Sequence, residues 1–317
     1  MRKIDKISKI PIKEAFPLEY KNLTPWLCDN IDLVSEAIGV ELFHPHKEKS
    51  TGNFNVDIWA ETADGDTVVI ENQFGASNHD HLGKLITYLT AFQAKAAVWI
   101  VEIPKQEHIN AIAWLNEKEM GCDFFLLKIE TLTIGNSNPA PLLSVVAGPS
   151  SESKIIGKIK KEHSENDNLR KSYWNHLKNA CNLADLTMFG NAAASGKDPF
   201  LGVSAGIRGL TFTFWVNQKN LRIELRIDRG KDAHVQNLKI FQELEKNKSS
   251  INHAFGSELN WADLQDYRVC SIRKDYLNAG YLTPSNEWSK QIDTVVKDMQ
   301  NLMIATKPFL QNLNLKE

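Results

Sequence analysis

Two acids and one amide in the first third of the chain have the types and spacing of a cation site. Asp57 lies in the segment NVDIWAET, and Glu71 and Gln73 lie in TVVIENQF, with the turn-forming residues Ala63–Asp66 between the two segments. If the segments pair as a hairpin with a three-residue loop, Asp57 meets Glu71, and Gln73 shares their face. Opposed carboxylates destabilise a sheet unless they are exposed to water, one is protonated because its pKa is raised, or a divalent cation lies between them.

The length of the turn decides which residue faces Asp57. A two-residue Asp-Gly turn pairs Asp57 with Asn72, whereas a three-residue loop with its glycine in the left-handed conformation pairs Asp57 with Glu71. We expect the three-residue loop, because it places Ile58 opposite Ile70 and so sorts apolar residues onto one face.

This register predicts a Mg²⁺ site. The carboxylates of Asp57 and Glu71 and the backbone carbonyl of Asn72 offer the hard oxygen ligands that Mg²⁺ prefers, and Gln73 could orient a water or a phosphate oxygen without adding charge. The alternative is a solvated hairpin face whose acids meet only water. Spacing by itself leaves both interpretations open.

A helix expected directly after the hairpin carries three further candidates. His79 and His81 flank an aspartate at its start, and Lys84 follows within about one turn of His81. The two histidines suit phosphate contact at a helix N-terminus better than Zn²⁺ binding, because no third soft ligand is spaced nearby. Lys84 is either a surface residue or a cation that reaches the site.

The elements that hold these residues alternate between helix and strand. Apolar residues at three- and four-residue steps predict a helix over residues 22–43, and the apolar run Ala96–Ile103 predicts a buried central strand ended by Pro104. We expect the histidines and lysines of residues 44–49 in a loop. The other predicted elements are helices at 107–119, 168–181, 235–246 and 285–306 and strands at 55–62, 67–74, 124–129, 132–134, 142–147, 211–217, 220–228 and 267–272.

A shift in composition divides the chain. Small and basic residues gather in Gly148–Lys161, which predicts a domain of residues 1–150, a linker of residues 151–165 and a second domain of residues 166–317. The alternating elements indicate the α/β (α+β) class, with helices flanking a sheet in the first domain and a smaller α+β second domain.

The composition is that of a folded globular protein. The chain has 317 residues, of which 24% are charged and 42% hydrophobic, and a net charge of −2. This charge excludes a wholly basic protein that coats nucleic acid but allows a local basic surface. Four widely spaced cysteines predict reduced core thiols. Since no signal-peptide pattern or bilayer-spanning run is present, we expect a cytoplasmic protein without a membrane partner.

The order of these motifs resembles a nuclease family. A helix, V-D-I on one strand, E-N-Q on the next, then a helix and an apolar strand are similar to the PD-(D/E)xK core, which has the restriction-endonuclease-like fold. The stretch Glu71–Phe92 (ENQFGASNHDHLGKLITYLTAF) resembles a family of bacterial proteins with the pattern E-N-Q…D-H-x-H-L-G-Q…Y. Tyr173–Trp174 and Glu258–Trp261 resemble the DUF4268 domain that is often fused to this core.

Two positions depart from that pattern. Gln73 stands where these nucleases usually have lysine, as in the E-x-Q variants, and Lys84 stands where the bacterial family has glutamine. The missing lysine does not exclude activity, because a metal ion itself activates water and stabilises charge. Lys84 could also replace it from across the site.

The resemblance implies a Mg²⁺-dependent DNA endonuclease that acts in restriction, phage defence or repair. Mn²⁺ would substitute for Mg²⁺, and no organic cofactor is implied. The metal ligands would be Asp57, Glu71, the Asn72 carbonyl and a third acid on the preceding helix, Glu36 or its rival Glu41. The residues implied in catalysis are Asp57, Glu71, Gln73, His81 and Lys84. Those implied in nucleic-acid contact are His79, His81 and Lys84.

Two further expectations concern partners. Homodimers are common in the resembling fold, because cutting two strands needs two sites. The alternative function on the same fold is a catalytically silent module that binds nucleic acid or another protein.

Overall fold

The computed structural model describes residues 4–51, 54–118, 120–149, 154–194, 196–230, 233–263 and 269–313. Its internal contacts separate two units: residues 1–62 with 66–157, and residues 63–65 with 158–317. Each unit packs helices against a β-sheet, so the expected α/β (α+β) class is confirmed.

The first unit is built on a mixed sheet. Its elements in chain order are β1 (Ile7–Ile10), α1 (Ile12–Ala15), a π-helical turn (Glu19–Leu23), α2 (Thr24–Asp29), α3 (Ile31–Ile38), β2 (Leu42–Thr51), β3 (Phe54–Thr62), β4 (Thr67–Ala76), α4 (His79–Ala91), β5 (Ala96–Ile103), α5 (Gln106–Glu117), β6 (Asp123–Ile134) and β7 (Ala140–Ala147). The strand order is β1-β6-β5-β4-β3-β2, with β7 also paired to β6. Strands β2, β3 and β4 are antiparallel, whereas β4, β5 and β6 are parallel.

Helices cover both faces of this sheet, which explains the unbroken apolar run of β5. Val98 belongs to the apolar layer that contains Leu27 of α2, and Trp99 belongs to the opposite layer, which contains Leu85 of α4. Both β5 residues are fully buried. A strand that is buried on both faces needs apolar side chains at every position.

The hairpin of β3 and β4 has the expected register. Ile58 pairs with Ile70. The N–H of Thr62 donates to the carbonyl of Asp66, which leaves a three-residue loop, and Gly65 in that loop has a φ of +85°. Matching apolar residues across the strands therefore selected the correct turn length.

Two parts of the first unit differ from the expectation. The single helix expected over residues 22–43 is instead α2 and α3, which are separated at Asn30. Residues 42–51 form strand β2 rather than the end of that helix and a loop, because α3 ends at Gly39, which takes a left-handed φ of +70°. Strand β6 runs unbroken from Asp123 to Ile134 rather than as two short strands. It pairs with β5 along its first part and with β7 and β1 further on.

The second unit is built on an antiparallel sheet. Its elements are α6 (Lys154–Leu183, of which residues 154–157 group with the first unit), α7 (Thr187–Gly190), β8 (Phe200–Ser204), β9 (Leu210–Val216), β10 (Leu221–Ile227), α8 (His234–Glu245), α9 (Lys248–Phe255), β11 (Asn260–Ala262), β12 (Cys270–Tyr276) and α10 (Ser285–Gln311). The strand order is β11-β12-β10-β9-β8. Trp174 of α6, Phe214 of β9 and Met299 of α10 are fully buried in its core.

Two helices of this unit extend beyond their predicted ends. Helix α6 begins at Lys154 and so includes most of the segment expected to be a linker. Helix α10 continues through Pro308 to Gln311, although the proline removes one backbone hydrogen bond.

A buried ion pair lies within the second unit. Arg170 is fully buried, and its guanidinium contacts the carboxylate of Asp64 in the three-residue loop that groups with this unit. It also donates to the carbonyls of Gly196 and Lys197 and to the hydroxyl of Tyr281, which in turn donates to Asp64. The charges of the pair are thus compensated by each other, by Asp167 at 3.6 Å from the guanidinium and by neutral partners.

The cysteines and the hydropathy of the helices match the sequence pattern. All four cysteines are free thiols, and Cys28, Cys181 and Cys270 are buried. Within the described ranges, no helix is both long and apolar enough to span a bilayer.

Candidate active site

The acidic pair lies where β3 and β4 stop pairing. Regular pairing ends at Ile58 and Ile70, one residue before Asp57 and Glu71. The N–H of Asp57 donates to Oε1 of Glu71 at 3.3 Å, and the N–H of Asn72 donates to Oδ2 of Asp57 at 2.9 Å. Each carboxylate thus binds a backbone N–H of the opposite strand, and the two side chains fill the gap between the strands.

Glu71 is buried among like charges. Its side chain is 2% exposed, and burial followed by repulsion from Asp57 raises the pKa of its carboxyl to about 8. Glu19 adds a smaller repulsion, whereas Lys84 opposes the shift. The site therefore holds two carboxyl groups whose joint ionisation is unfavourable, and a cation would stabilise both in the charged form.

Glu19 is a site residue that the sequence did not indicate. It lies in the π-helical turn, and its carboxylate accepts the N–H of Phe74 at 2.5 Å. Burial raises its pKa, and Lys84 lowers it. Glu36, which we expected with its rival Glu41 as the third acid of the metal site, is exposed on α3 instead. No spacing rule identifies Glu19, because its approach depends on how the helical layer packs onto β4.

Asn72 separates the site from the helical layer behind it. Its buried side chain exchanges hydrogen bonds with the hydroxyl of Thr24, at 3.1 and 3.2 Å. Its backbone N–H binds Asp57. Because the N–H and C=O of one strand residue point to the same side, the Asn72 carbonyl also faces the gap at Asp57, as a ligand role would require.

The amide of Gln73 has a defined orientation. Its Nε2 donates to the carbonyl of Ala76 at 2.7 Å, across the irregularity at which the pairing of β4 with β5 shifts register. Its Oε1 is buried and has no hydrogen-bond partner among the described residues. The side chain is 4% exposed. Gln73 therefore offers the site an acceptor rather than a donor.

Helix α4 brings positive charge and a phenol to the acidic pair. The side chain of Asn78 caps the helix by accepting the N–H of His81 at 3.0 Å, and it also contacts Nδ1 of His81 at 3.0 Å. Lys84 is exposed and interacts electrostatically with Glu71. Tyr88, one turn further on, is buried, and burial and the charges of the acidic pair raise its pKa. The spacing of Lys84 and Tyr88 could have indicated the tyrosine, since residues four apart share a helix face.

His79 takes part in a buried hydrogen-bond chain. Its Nδ1 contacts Nε2 of His108 at 3.0 Å, and Nδ1 of His108 contacts the hydroxyl of Ser77 at 2.7 Å. Ser77 also accepts the N–H of Lys105. The His79 side chain remains exposed at the start of α4, with one ring nitrogen engaged in this chain.

The residues at the gap fit a hard cation. In the part of the chain that the structure describes, no three His, Cys, Asp or Glu side chains are grouped as a metal site. The carboxylates are instead those of Asp57 and Glu71, and Glu71 is followed on β4 by residues with neutral oxygens, the Asn72 carbonyl and the unpartnered Oε1 of Gln73. Mg²⁺ is commonly held by one or two carboxylates and several waters, whereas Zn²⁺ prefers nitrogen and sulfur. The oxygen set thus suits Mg²⁺ or Mn²⁺.

Comparison with known proteins identifies only the C-terminal part. Residues 169–310 match the family model described as a domain of unknown function, DUF4268, which confirms the resemblance of that part. A search of curated proteins found no match, and a search of solved structures also found none. The matched residues lie in the second unit, whereas the candidate site lies in the first.

Proposed function

We propose that the first unit is a Mg²⁺-dependent DNA endonuclease with the PD-(D/E)xK arrangement that its motifs resemble. The observation that carries this proposal is the pair Asp57 and Glu71. Each of the two binds a backbone N–H of the opposite strand at the point where β3 and β4 separate. This arrangement holds two carboxylates together despite their repulsion.

The order of the elements supports the proposal. Antiparallel strands β2, β3 and β4 are followed by α4 and by β5 parallel to β4. This order is similar to that of the restriction-endonuclease-like core. It places the V-D-I and E-N-Q motifs on adjacent strands and brings α4 against the same site.

The residues of the site have separate roles in this proposal. Asp57, Glu71 and the Asn72 carbonyl would hold Mg²⁺, which when bound supplies Lewis acidity toward water and phosphate. Lys84 would contact the phosphate, because its exposed ammonium lies within electrostatic reach of the acids. Burial, then the charge of Lys84, lowers the pKa of His81, so its neutral ring can accept a hydrogen bond.

A cleavage assay tests the proposal. Linear and supercoiled DNA would be incubated with the full chain in Mg²⁺, in Mn²⁺ and in EDTA. We expect cleavage with either metal and none in EDTA. Asp57→Ala should abolish cleavage and Glu71→Gln should reduce it at least about 100-fold, because each removes a charged oxygen from the site.

Glu117→Gln is the matched control. Glu117 is exposed on α5, so the same chemical change there should leave cleavage unchanged. Metal-dependent cleavage that persists at full rate in Asp57→Ala would contradict the proposed function.

A second candidate function rests on Gln73. The third position of the motif is neutral, and its amide nitrogen is bound to Ala76. The same fold could therefore bind nucleic acid, or a protein partner through the DUF4268 domain, without cleaving a substrate. This candidate predicts salt-sensitive DNA binding, or a specific protein partner in a pull-down, with no cleavage under any metal.

Cell fractionation and measurement of molecular mass in solution would test the cytoplasmic location and the homodimer that we propose for this nuclease. Retention of DNA cleavage by a monomer would remove the need for two copies.

A further inference from the structure

We propose that Gln73 is a ligand of the cation through its side-chain oxygen, as a third side-chain donor beside Asp57 and Glu71. This inference rests on the proposed function, because it assigns a further residue to the same metal site.

The orientation of the Gln73 amide follows from its contact with Ala76. The carbonyl of Ala76 lies 2.7 Å from Nε2 and can only accept a hydrogen bond. Reversing the amide would place two oxygens at that distance, which is repulsive. The orientation with Nε2 toward Ala76 is therefore the only one that forms this hydrogen bond.

The turn at the end of β4 places the Ala76 carbonyl where Gln73 can reach it. Gly75 has a left-handed φ of +72°, and its N–H donates to Oε2 of Glu102 at 2.9 Å. The chain thus bends back after Gln73 at a position suited to glycine. The Gln73 orientation is thus set by a backbone carbonyl.

The oxygen of Gln73 is left as a buried acceptor. Oε1 has no hydrogen-bond partner within the described residues, and the side chain is 4% exposed. Buried polar atoms of native proteins nearly always have a partner, which can be a bound ion or water. A cation bound at the proposed metal site would give this buried oxygen its partner.

The strand geometry places the Gln73 side chain on the same face of β4 as Glu71. Gln73 lies two residues after Glu71 on β4, and residues two apart share a face of a strand. A lysine at this position would add positive charge next to the cation, whereas the Gln73 oxygen carries a partial negative charge. Gln73 thus adds to the ligand set, and Lys84 on α4 supplies the positive charge.

Titration calorimetry with Mn²⁺ on the full chain tests the inference without an activity measurement. We expect Gln73→Met, which keeps the length but removes the oxygen, to weaken Mn²⁺ binding by about tenfold or more. Gln73→Glu should bind Mn²⁺ at least as tightly as the wild type. Both variants lose the hydrogen bond to Ala76, so their difference reports the oxygen together with the charge that glutamate adds.

Two controls complete the experiment. Gln106→Met makes the same change at an exposed position on α5 and should leave the affinity unchanged. Thermal unfolding in EDTA shows which variants are folded. If Gln73→Met does not fold, Gln73→Glu decides, and weaker Mn²⁺ binding by Gln73→Glu would overturn the inference.

The same titrations separate the two proposals. Wild-type affinity in folded Gln73→Met, together with weakened binding in Glu71→Gln, would overturn the role of Gln73 and leave the metal site intact. Equal Mn²⁺ affinity in the wild type and in Glu71→Gln would overturn the metal site itself.

Discussion

At the scale of single residues, Glu71 lies in an environment that opposes its ionisation. Burial and the nearby charge of Asp57 raise the pKa of its carboxyl to about 8, against an ordinary value of 4.5. With so high a pKa, we expect ionisation of Glu71 beside Asp57 to lower the stability of the fold. A site of this kind gains from a cation, because the cation compensates both charges.

The shifted pKa of Glu71 predicts a pH dependence of stability in EDTA. The folded state holds its proton up to about pH 8, whereas the unfolded state loses it near pH 4.5. The free energy of unfolding should therefore fall as the pH rises from about 4.5 to about 8, and it should stay level at higher pH. Glu71→Gln removes this loss of stability and keeps an acceptor for the backbone N–H of Asp57. At pH 8.5 we therefore expect its free energy of unfolding to exceed that of the wild type by about 3–5 kcal/mol.

Urea unfolding, measured from pH 4 to pH 9 in steps of about one pH unit, checks this expectation. The advantage of Glu71→Gln should disappear near pH 4, where the wild-type carboxyl is protonated in both states. A variant that is less stable than the wild type at pH 8.5 would show that the ionised carboxylate stabilises the metal-free fold.

At the scale of elements, the start of α4 is fixed by the chain Ser77–His108–His79. Ser77 and His108 are buried and join the end of β4 to α5, and His79 is the first residue of α4. Since Ser77 accepts the N–H of Lys105, its own hydrogen is available for Nδ1 of His108. Burial, then the neighbouring His79, lowers the pKa of His108, which favours the neutral form of its ring.

Removing the Ser77 hydroxyl should destabilise this junction. Ser77→Ala leaves Nδ1 of His108 buried without its partner, and we expect a loss of about 1–3 kcal/mol in the free energy of unfolding. Thr87→Ala, on the exposed face of α4, should change it by less than about 0.5 kcal/mol. Equal effects of the two substitutions in urea unfolding would contradict a role for the buried chain.

At the scale of the whole molecule, the net charge of −2 limits how DNA can be bound. No large basic surplus exists to attract the phosphate backbone, and part of the acidity lies in the proposed metal site. Binding that depends on phosphate contacts also weakens as salt rises. The overall charge therefore predicts that a cation at Asp57 and Glu71 contributes to affinity.

We expect a bound cation to strengthen DNA binding. In EDTA we expect weak binding, and Ca²⁺, another hard cation with oxygen ligands, should tighten it by about tenfold or more. Asp57→Ala should lose this response to Ca²⁺. Fluorescence anisotropy with labelled duplex DNA at fixed salt measures both quantities, and identical affinity with and without Ca²⁺ would contradict the prediction.

The buried ion pair of Arg170 and Asp64 gives a prediction for the stability of the second unit. Asp64→Asn should lower its stability by about 3–5 kcal/mol, because it removes the buried carboxylate that contacts Arg170 and leaves only Asp167, at 3.6 Å, as a charged partner. Asp185→Asn makes the same change at an exposed residue whose φ of +59° suits asparagine, so its effect should be small. Calorimetric unfolding of the full chain measures both, and a small effect of Asp64→Asn would contradict the importance of the pair.

The sequence alone determined the local features of the candidate site. Matching Ile58 with Ile70 established the hairpin register, and the apolar run of β5 established a strand buried on both faces. These features follow from side-chain periodicity, which depends only on the order of residues along each strand.

The tertiary structure decided which distant groups meet there. It placed Glu19 rather than Glu36 beside Glu71, turned His79 toward His108, and left the oxygen of Gln73 without a partner. Each of these outcomes depends on packing between elements or on the bend at the end of β4. The order of residues within one element does not specify such contacts, because they arise only when separate elements pack together.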